Sequence, residues 1–106
     1  MNFKVDSSLL EAIVLSAISE KDMYGYKITQ EMQGVIDLSD STLYPVLRRL
    51  RSHDLLESYR SERHGKIRCY YKITEKGKTQ LVLYRKEWLL YTAKIDMVFD
   101  KSLLAR

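Results

Sequence analysis

Leu81, Tyr84, Trp88, Tyr91, Ile95 and Val98 recur at steps of three, four, three, four and three. Steps averaging 3.5 residues keep one stripe of a helix turned toward a neighbouring helix, so this spacing predicts a helix-packing seam. The whole chain has 106 residues. A domain of that size buries only about two-thirds of the surface its unfolded chain exposes. Six large side chains on one stripe are more than so small a monomer can cover. The seam therefore calls for a second copy of the chain, and the same six residues form the expected dimer interface.

Composition narrows the class. Hydrophobic residues make up 45 % and charged residues 30 %, with one Pro and four Gly, which fits a soluble globular domain with few long loops. The single cysteine, Cys69, excludes an intramolecular disulfide and fits a reducing compartment. No apolar run reaches the roughly 18 residues of a membrane span. The opening "MNFKVDSSLL" is too polar for a secretory signal, so a cytoplasmic location is expected. Eighteen Lys and Arg against 14 Asp and Glu leave a net charge of +4. That balance favours an anionic partner, nucleic acid first.

Ahead of the seam the pattern breaks into short elements. Ser8 and Glu11 have capping-box spacing, followed by the apolar face of Leu9, Leu10, Ile13, Val14, Ala17 and Ile18. Asp22 is placed to cap a second helix over Met23–Gln33, with Tyr24, Ile28 and Met32 inward and Gly34 as its stop. A third helix starts among Ser39, Asp40 and Ser41 and buries Leu43, Val46, Leu47 and Leu50. Its proline, Pro45, is tolerated only near a helix start. Alternation around Gly65 then predicts a β-hairpin with a basic tip at Arg63, His64 and Lys66. Thr74 is placed to cap the last helix. Three helices followed by a hairpin make a winged helix-turn-helix. The expected class is α+β, mainly α: a winged helix-turn-helix with a long C-terminal dimerisation helix. The division is 1–74 for the winged domain and 75–106 for the helix, in one compact unit.

The segment "SDSTLYPVLRRL" (39–50) carries the chemistry. The third helix of such a domain enters the DNA major groove. Small hydroxyls at its N-terminus can approach phosphates and base edges, and the free N–H groups there favour phosphate oxygen. Tyr44 has two roles open to it, a phosphate hydrogen bond or packing beneath the helix. Pro45 offers a flat apolar surface suited to a thymine methyl. Arg48 and Arg49 are expected to point away from the core toward the duplex. The bland alternative is that Ser39 and Ser41 merely cap and the arginines form a solvated face. Another alternative is a winged-helix protein-interaction module without DNA binding. Loss of Arg48, Arg49, Lys66 and Arg68 would favour it, and all four are present.

The stretches "YGYKITQEM", "STLYPVLRRL", "LLESYRSE" and "YYKITEKGK" occur in this order. They resemble the PadR family (phenolic acid decarboxylase regulator-like) of bacterial transcription factors, over nearly the whole chain. Thr42–Leu50 is the most specific part. The single C-terminal helix resembles the small subfamily. The resemblance implies a repressor that is a homodimer through its last helix and that acts on an inverted repeat. By matched position it implies DNA contacts from Tyr26 and Lys27, from Ser39, Ser41, Thr42, Tyr44 and Pro45, and from Lys66 and Arg68. The chain departs from the family pattern at Ile67 and Cys69, where basic residues are expected, and at Asp40 and Ser41, where small residues are common.

Trp88 is the sole tryptophan. Either it is a large packing anchor on the seam, or it belongs to a ligand site. Some members of the small subfamily stack planar aromatic compounds on a tryptophan at the dimer centre. That resemblance implies an effector pocket at Trp88 with Tyr84 and Tyr91. His53, His64 and Cys69 lack tight metal-ligand spacing, and no catalytic triad or phosphate loop stands out. No metal, no cofactor and no enzymatic activity are expected.

Overall fold

The computed structural model describes residues 5–104. The outer ends of the two expected regions, 1–4 and 105–106, lie outside the described residues. Helix α1 (Ser7–Ile18) leads into a two-residue strand, β1 (Met23–Tyr24). Helices α2 (Gly25–Glu31) and α3 (Asp40–Ser52) follow, then the hairpin β2 (Leu56–Arg63) and β3 (Lys66–Ile73), then α4 (Glu75–Leu104). The antiparallel sheet has the order β1-β3-β2.

The core lies between the three short helices and the inner face of the sheet. Val14, Leu15 and Ile18 meet Ile28, the α3 stripe Leu43, Val46, Leu47 and Leu50, and Leu56 with Ile73 from the hairpin. The α3 stripe is at most 1 % exposed. Each such aliphatic side chain contributes about 1.5–3 kcal/mol of burial before ordering costs. Leu81 and Tyr84 bring the first turns of α4 against this core. Beyond them α4 runs out as an arm, and the molecule measures 61 × 29 × 20 Å.

Several local expectations shift. The α1 cap is Asp6, whose carboxylate accepts the Leu9 N–H at 2.8 Å. The Ser8–Glu11 capping box does not form, because Glu11 is engaged by distant side chains. Asp22 does not cap α2. The backbone at Met23–Tyr24 pairs with β3 (Met23 with Tyr71, Tyr24 with Tyr70), and Asp22 accepts a hydrogen bond from the Tyr59 hydroxyl. The second helix is accordingly shorter than expected. It ends at Glu31, before the left-handed Gly34 (φ +84°). Pro45 is the sixth residue of α3, deeper than the first turn. It has no N–H to give the Ser41 carbonyl, and the cost is limited because that end of the helix is exposed to water.

The hairpin forms as its sequence indicates. His64 (φ 55°) and Gly65 (φ 76°) are both left-handed, as a two-residue type I′ turn requires. Thr74 caps α4 by accepting the Gly77 N–H at 2.9 Å. A Cβ on Gly77 would collide with the Leu55 carbonyl oxygen, so α4 starts pressed against the end of α3. Among the described residues no helix is long and apolar enough to cross a membrane.

Candidate nucleic-acid interface

The start of α3 is an exposed cluster of hydroxyls. Ser39 occupies the N-cap position, yet its side chain makes no hydrogen bond to the helix backbone. Its Oγ lies 3.0 Å from Ser41 Oγ and 3.1 Å from Thr42 Oγ1. A hydroxyl carries one donor and two acceptor positions, so the three share protons and keep capacity for an outside partner. Tyr44 is 40 % exposed. A Cβ on Gly25 would lie 2.5 Å from the Tyr44 hydroxyl. The glycine is therefore what lets this ring sit over the start of α2. Of its two roles, packing and solvent contact, the geometry permits both at once. Pro45 is half-buried and Arg48 is exposed.

Arg48 and Arg49 part company. Arg49 Nε donates to Glu11 Oε1 at 2.9 Å, across to α1. The expectation that both arginines point away from the core is corrected for Arg49. Adjacent residues on a helix stand about 100° apart, and the second of the pair falls beside α1. Sequence reasoning passed over Arg51, whose Nη1 donates to Ser58 Oγ at 3.0 Å and ties α3 to the base of the wing.

The wing carries a second cluster, on the sheet face turned away from the core. Register places Tyr24, Tyr70 and Tyr59 side by side across β1, β3 and β2. Tyr24 meets Tyr70 edge-on at 5.5 Å, and Tyr59 stacks on Tyr70 at 5.9 Å. The Arg63 guanidinium lies 4.0 Å over the Tyr70 ring and that of Arg68 lies 4.3 Å over Tyr24, both within cation–π range. Arg63 also donates to the Tyr59 hydroxyl at 3.0 Å, and Tyr59 donates to Asp22. The hydrogen bond to Asp22 holds the Tyr59 proton on and raises its pKa. Counting outward from His64–Gly65 would have paired Tyr59 with Tyr70. No local signal announced that β1 would add Tyr24 to the row.

One groove of about 310 Å³ joins these parts, lined by Tyr24, Gly25, Tyr26, Tyr44, Arg68 and Tyr71, with Cys69 at its edge. It brings together three expected contacts, Tyr26, Tyr44 and Arg68. Tyr26 is 63 % exposed. Lys27 is paired instead with Glu31 at 3.3 Å, one turn along α2. Lys66 stands exposed near the wing tip, outside the groove. Tyr71, at the back of the groove, has its phenol pKa pushed up to about 12, chiefly by burial and further by Cys69 and Tyr44.

The other expected site lies on α4, apart from the groove. Trp88 and Tyr91 are 42 % and 61 % exposed. Tyr84 faces the winged domain: its hydroxyl donates to Glu11 Oε2 at 3.4 Å. Burial, then the Glu11 charge, raises its pKa. Along the seam Leu81 and Tyr84 are covered by the core, whereas Trp88, Tyr91, Ile95 and Val98 are exposed. Among the described residues no cluster of three His, Cys, Asp or Glu is placed to hold a metal ion.

Comparison with known proteins places this geometry. Residues 14–82 match the transcriptional regulator PadR-like family. An uncharacterised protein of Lysinibacillus sphaericus is 36 % identical over 96 residues, covering 86 % of this chain and 88 % of its own. The crystal structure of a Streptococcus mutans UA159 protein superimposes with a TM-score of 0.88 at 36 % identity, covering 94 % of both chains. A PadR family transcription regulator from Clostridium difficile R20291 superimposes with a TM-score of 0.79 at 29 % identity, over 85 % of this chain and 97 % of that one. A PadR-like transcriptional regulator from Bacillus cereus does so with a TM-score of 0.79 at 28 % identity, over 87 % and 92 %.

Proposed function

The chain belongs to the PadR-like family of transcriptional regulators, and from this premise we propose that it represses transcription as a homodimer on an inverted-repeat operator. The observation that supports this most is the groove where the α3 hydroxyl cluster, Tyr44 and the wing residue Arg68 converge. Ser39, Ser41 and Thr42 take phosphate oxygen or base edges, and Pro45 takes a thymine methyl. Tyr26, Lys27, Arg48, Lys66 and Arg68 anchor the phosphate backbone. Arg49 supports the recognition helix from behind.

Residues 1–74 form the DNA-binding part and 75–106 the assembly helix. The exposed remainder of the seam, Trp88, Tyr91, Ile95 and Val98, packs against its twofold mate. A planar aromatic effector inserts between the two Trp88 indoles and releases the operator. For that release, the effector must bind the DNA-free dimer more tightly than the DNA-bound one.

The test is fluorescence anisotropy with duplexes drawn from the DNA flanking the coding region. Half-sites about one helical turn apart are expected. Affinity should fall steeply with salt, and Lys66→Ala should lower the salt slope by about one phosphate contact. A flat salt response, or no binding to any inverted repeat, would overturn the reading. Saturable quenching of Trp88 by planar aromatic dyes, lost in Trp88→Ala, checks the effector site separately.

A further inference from the structure

Two attachments join α4 to α3. The first is at its base. Thr74 N donates to the Leu55 carbonyl at 3.1 Å and Thr74 Oγ1 to that of Asp54 at 2.6 Å. Lys76 Nζ donates to the His53 carbonyl at 3.0 Å. These three carbonyls immediately follow α3. The second attachment lies ten residues along α4, about 15 Å at 1.5 Å per residue. There Tyr84 donates to one Glu11 oxygen while Arg49 of α3 donates to the other.

A rod held at one point pivots, whereas a rod held at two points has a set angle. We propose that Glu11 is a positioning residue for DNA binding: its carboxylate ties Tyr84 of α4 to Arg49 of α3 and so sets the angle between the assembly helix and the recognition helix. This rests on the dimeric, DNA-binding function proposed above. In a twofold dimer, the angle at which each winged domain leaves its α4 decides whether both recognition helices reach successive major grooves together. Trp88 lies one turn beyond Tyr84 on the same side of α4. A molecule that shifts α4 at Trp88 therefore pulls directly on this brace.

The Arg49 and Glu11 side chains are 43 % and 21 % exposed, and pairs open to solvent add little to stability. Their purpose shows in geometry rather than in melting temperature. The experiment uses Glu11→Gln, which keeps size and an acceptor but removes the charge, and Tyr84→Phe, which removes one hydroxyl. Operator affinity is measured by anisotropy across a salt series. In parallel, spin labels on Ser52→Cys in a Cys69→Ser background report the distance between the two recognition helices of the DNA-free dimer.

Glu11→Gln should weaken operator binding by about 5- to 30-fold, within the usual range of coupling between sites. Tyr84→Phe should do so by less, and the double variant should be no worse than Glu11→Gln alone, because both cut the same link. The spin-label distance distribution should broaden in each variant. Melting temperature and salt slope should stay near those of the parent. Parent-like affinity with an unchanged, narrow distance distribution would overturn the proposal. So would an Arg49→Gln variant that lowers the salt slope by about 0.9, the value for a lost phosphate contact, while Glu11→Gln has no effect. A parent protein that binds no inverted repeat would take down the proposed function instead, and the spin-label arm would still decide whether Glu11 sets the angle.

Discussion

The winged domain and the α4 arm divide their apolar residues in opposite ways. In the winged domain the aliphatics are inside: Leu15, Leu43, Leu47 and Leu50 are at most 1 % exposed, and the polar clusters lie on the surface. On the arm beyond Tyr84, Leu90, Tyr91, Met97, Val98 and Phe99 are all more than half exposed. One region completes its own core and the other is built to be completed. Single chains with large exposed apolar patches are uncommon unless the patch is an interaction surface. Reading and assembly are therefore held in separate regions, joined where α4 leaves the core.

The division can be broken most severely on the arm. Ile95→Asp should abolish the dimer while leaving the winged domain folded. Losing the linked second half-site should cost about 10²–10⁴ in operator affinity. Sedimentation together with anisotropy checks both, and a monodisperse monomer with parent-like affinity would contradict the division. The converse change is Leu47→Ala in the core. It should cost about 2–5 kcal/mol of stability, read by urea unfolding. Operator affinity per folded dimer should hold.

Gly25→Ala sharpens the comparison from within the winged domain. The added Cβ, 2.5 Å from the Tyr44 hydroxyl, must displace that ring. Operator binding should weaken by about 1–3 kcal/mol, the usual scale of a disturbed base contact, with dimerisation untouched. The smallest effect is at high pH. The Tyr71 phenol is pushed up from 10.0 to about 12, so the folded state holds its proton more tightly than the unfolded state does. That contribution is complete below pH 10 and is lost as pH rises toward 12. Tyr71→Phe should flatten the fall of stability across this window, and Tyr91→Phe, on the exposed arm, should not.

Much of the architecture was legible because it is local. The 3–4 spacing of Leu43, Val46, Leu47 and Leu50 needs only helical geometry to define α3's buried face. His64–Gly65 needs only left-handed backbone to reverse the chain, and Thr74 needs only the helix three residues on. The seam of α4 could be read from its period, and so could its excess over what one small core covers. The motif Thr42–Leu50 pointed to the family before any coordinate was available.

The remaining decisions came from partners far away in the chain. Glu11 looked like a capping residue, but it meets Arg49 38 residues on and Tyr84 73 residues on. Asp22 looked like a cap, but it takes the hydroxyl of Tyr59, 37 residues away. Met23–Tyr24 looked helical until β3 offered it a strand to pair with. Adjacent arginines of identical chemistry were separated because α1 lies on one side of α3 and solvent on the other. Sequence by itself determined what depends on backbone period and on neighbours within a turn or two. Which charged and phenolic groups face the groove, and which brace it from behind, was decided by tertiary structure, because a side chain's partner is set by packing rather than by the residue next to it.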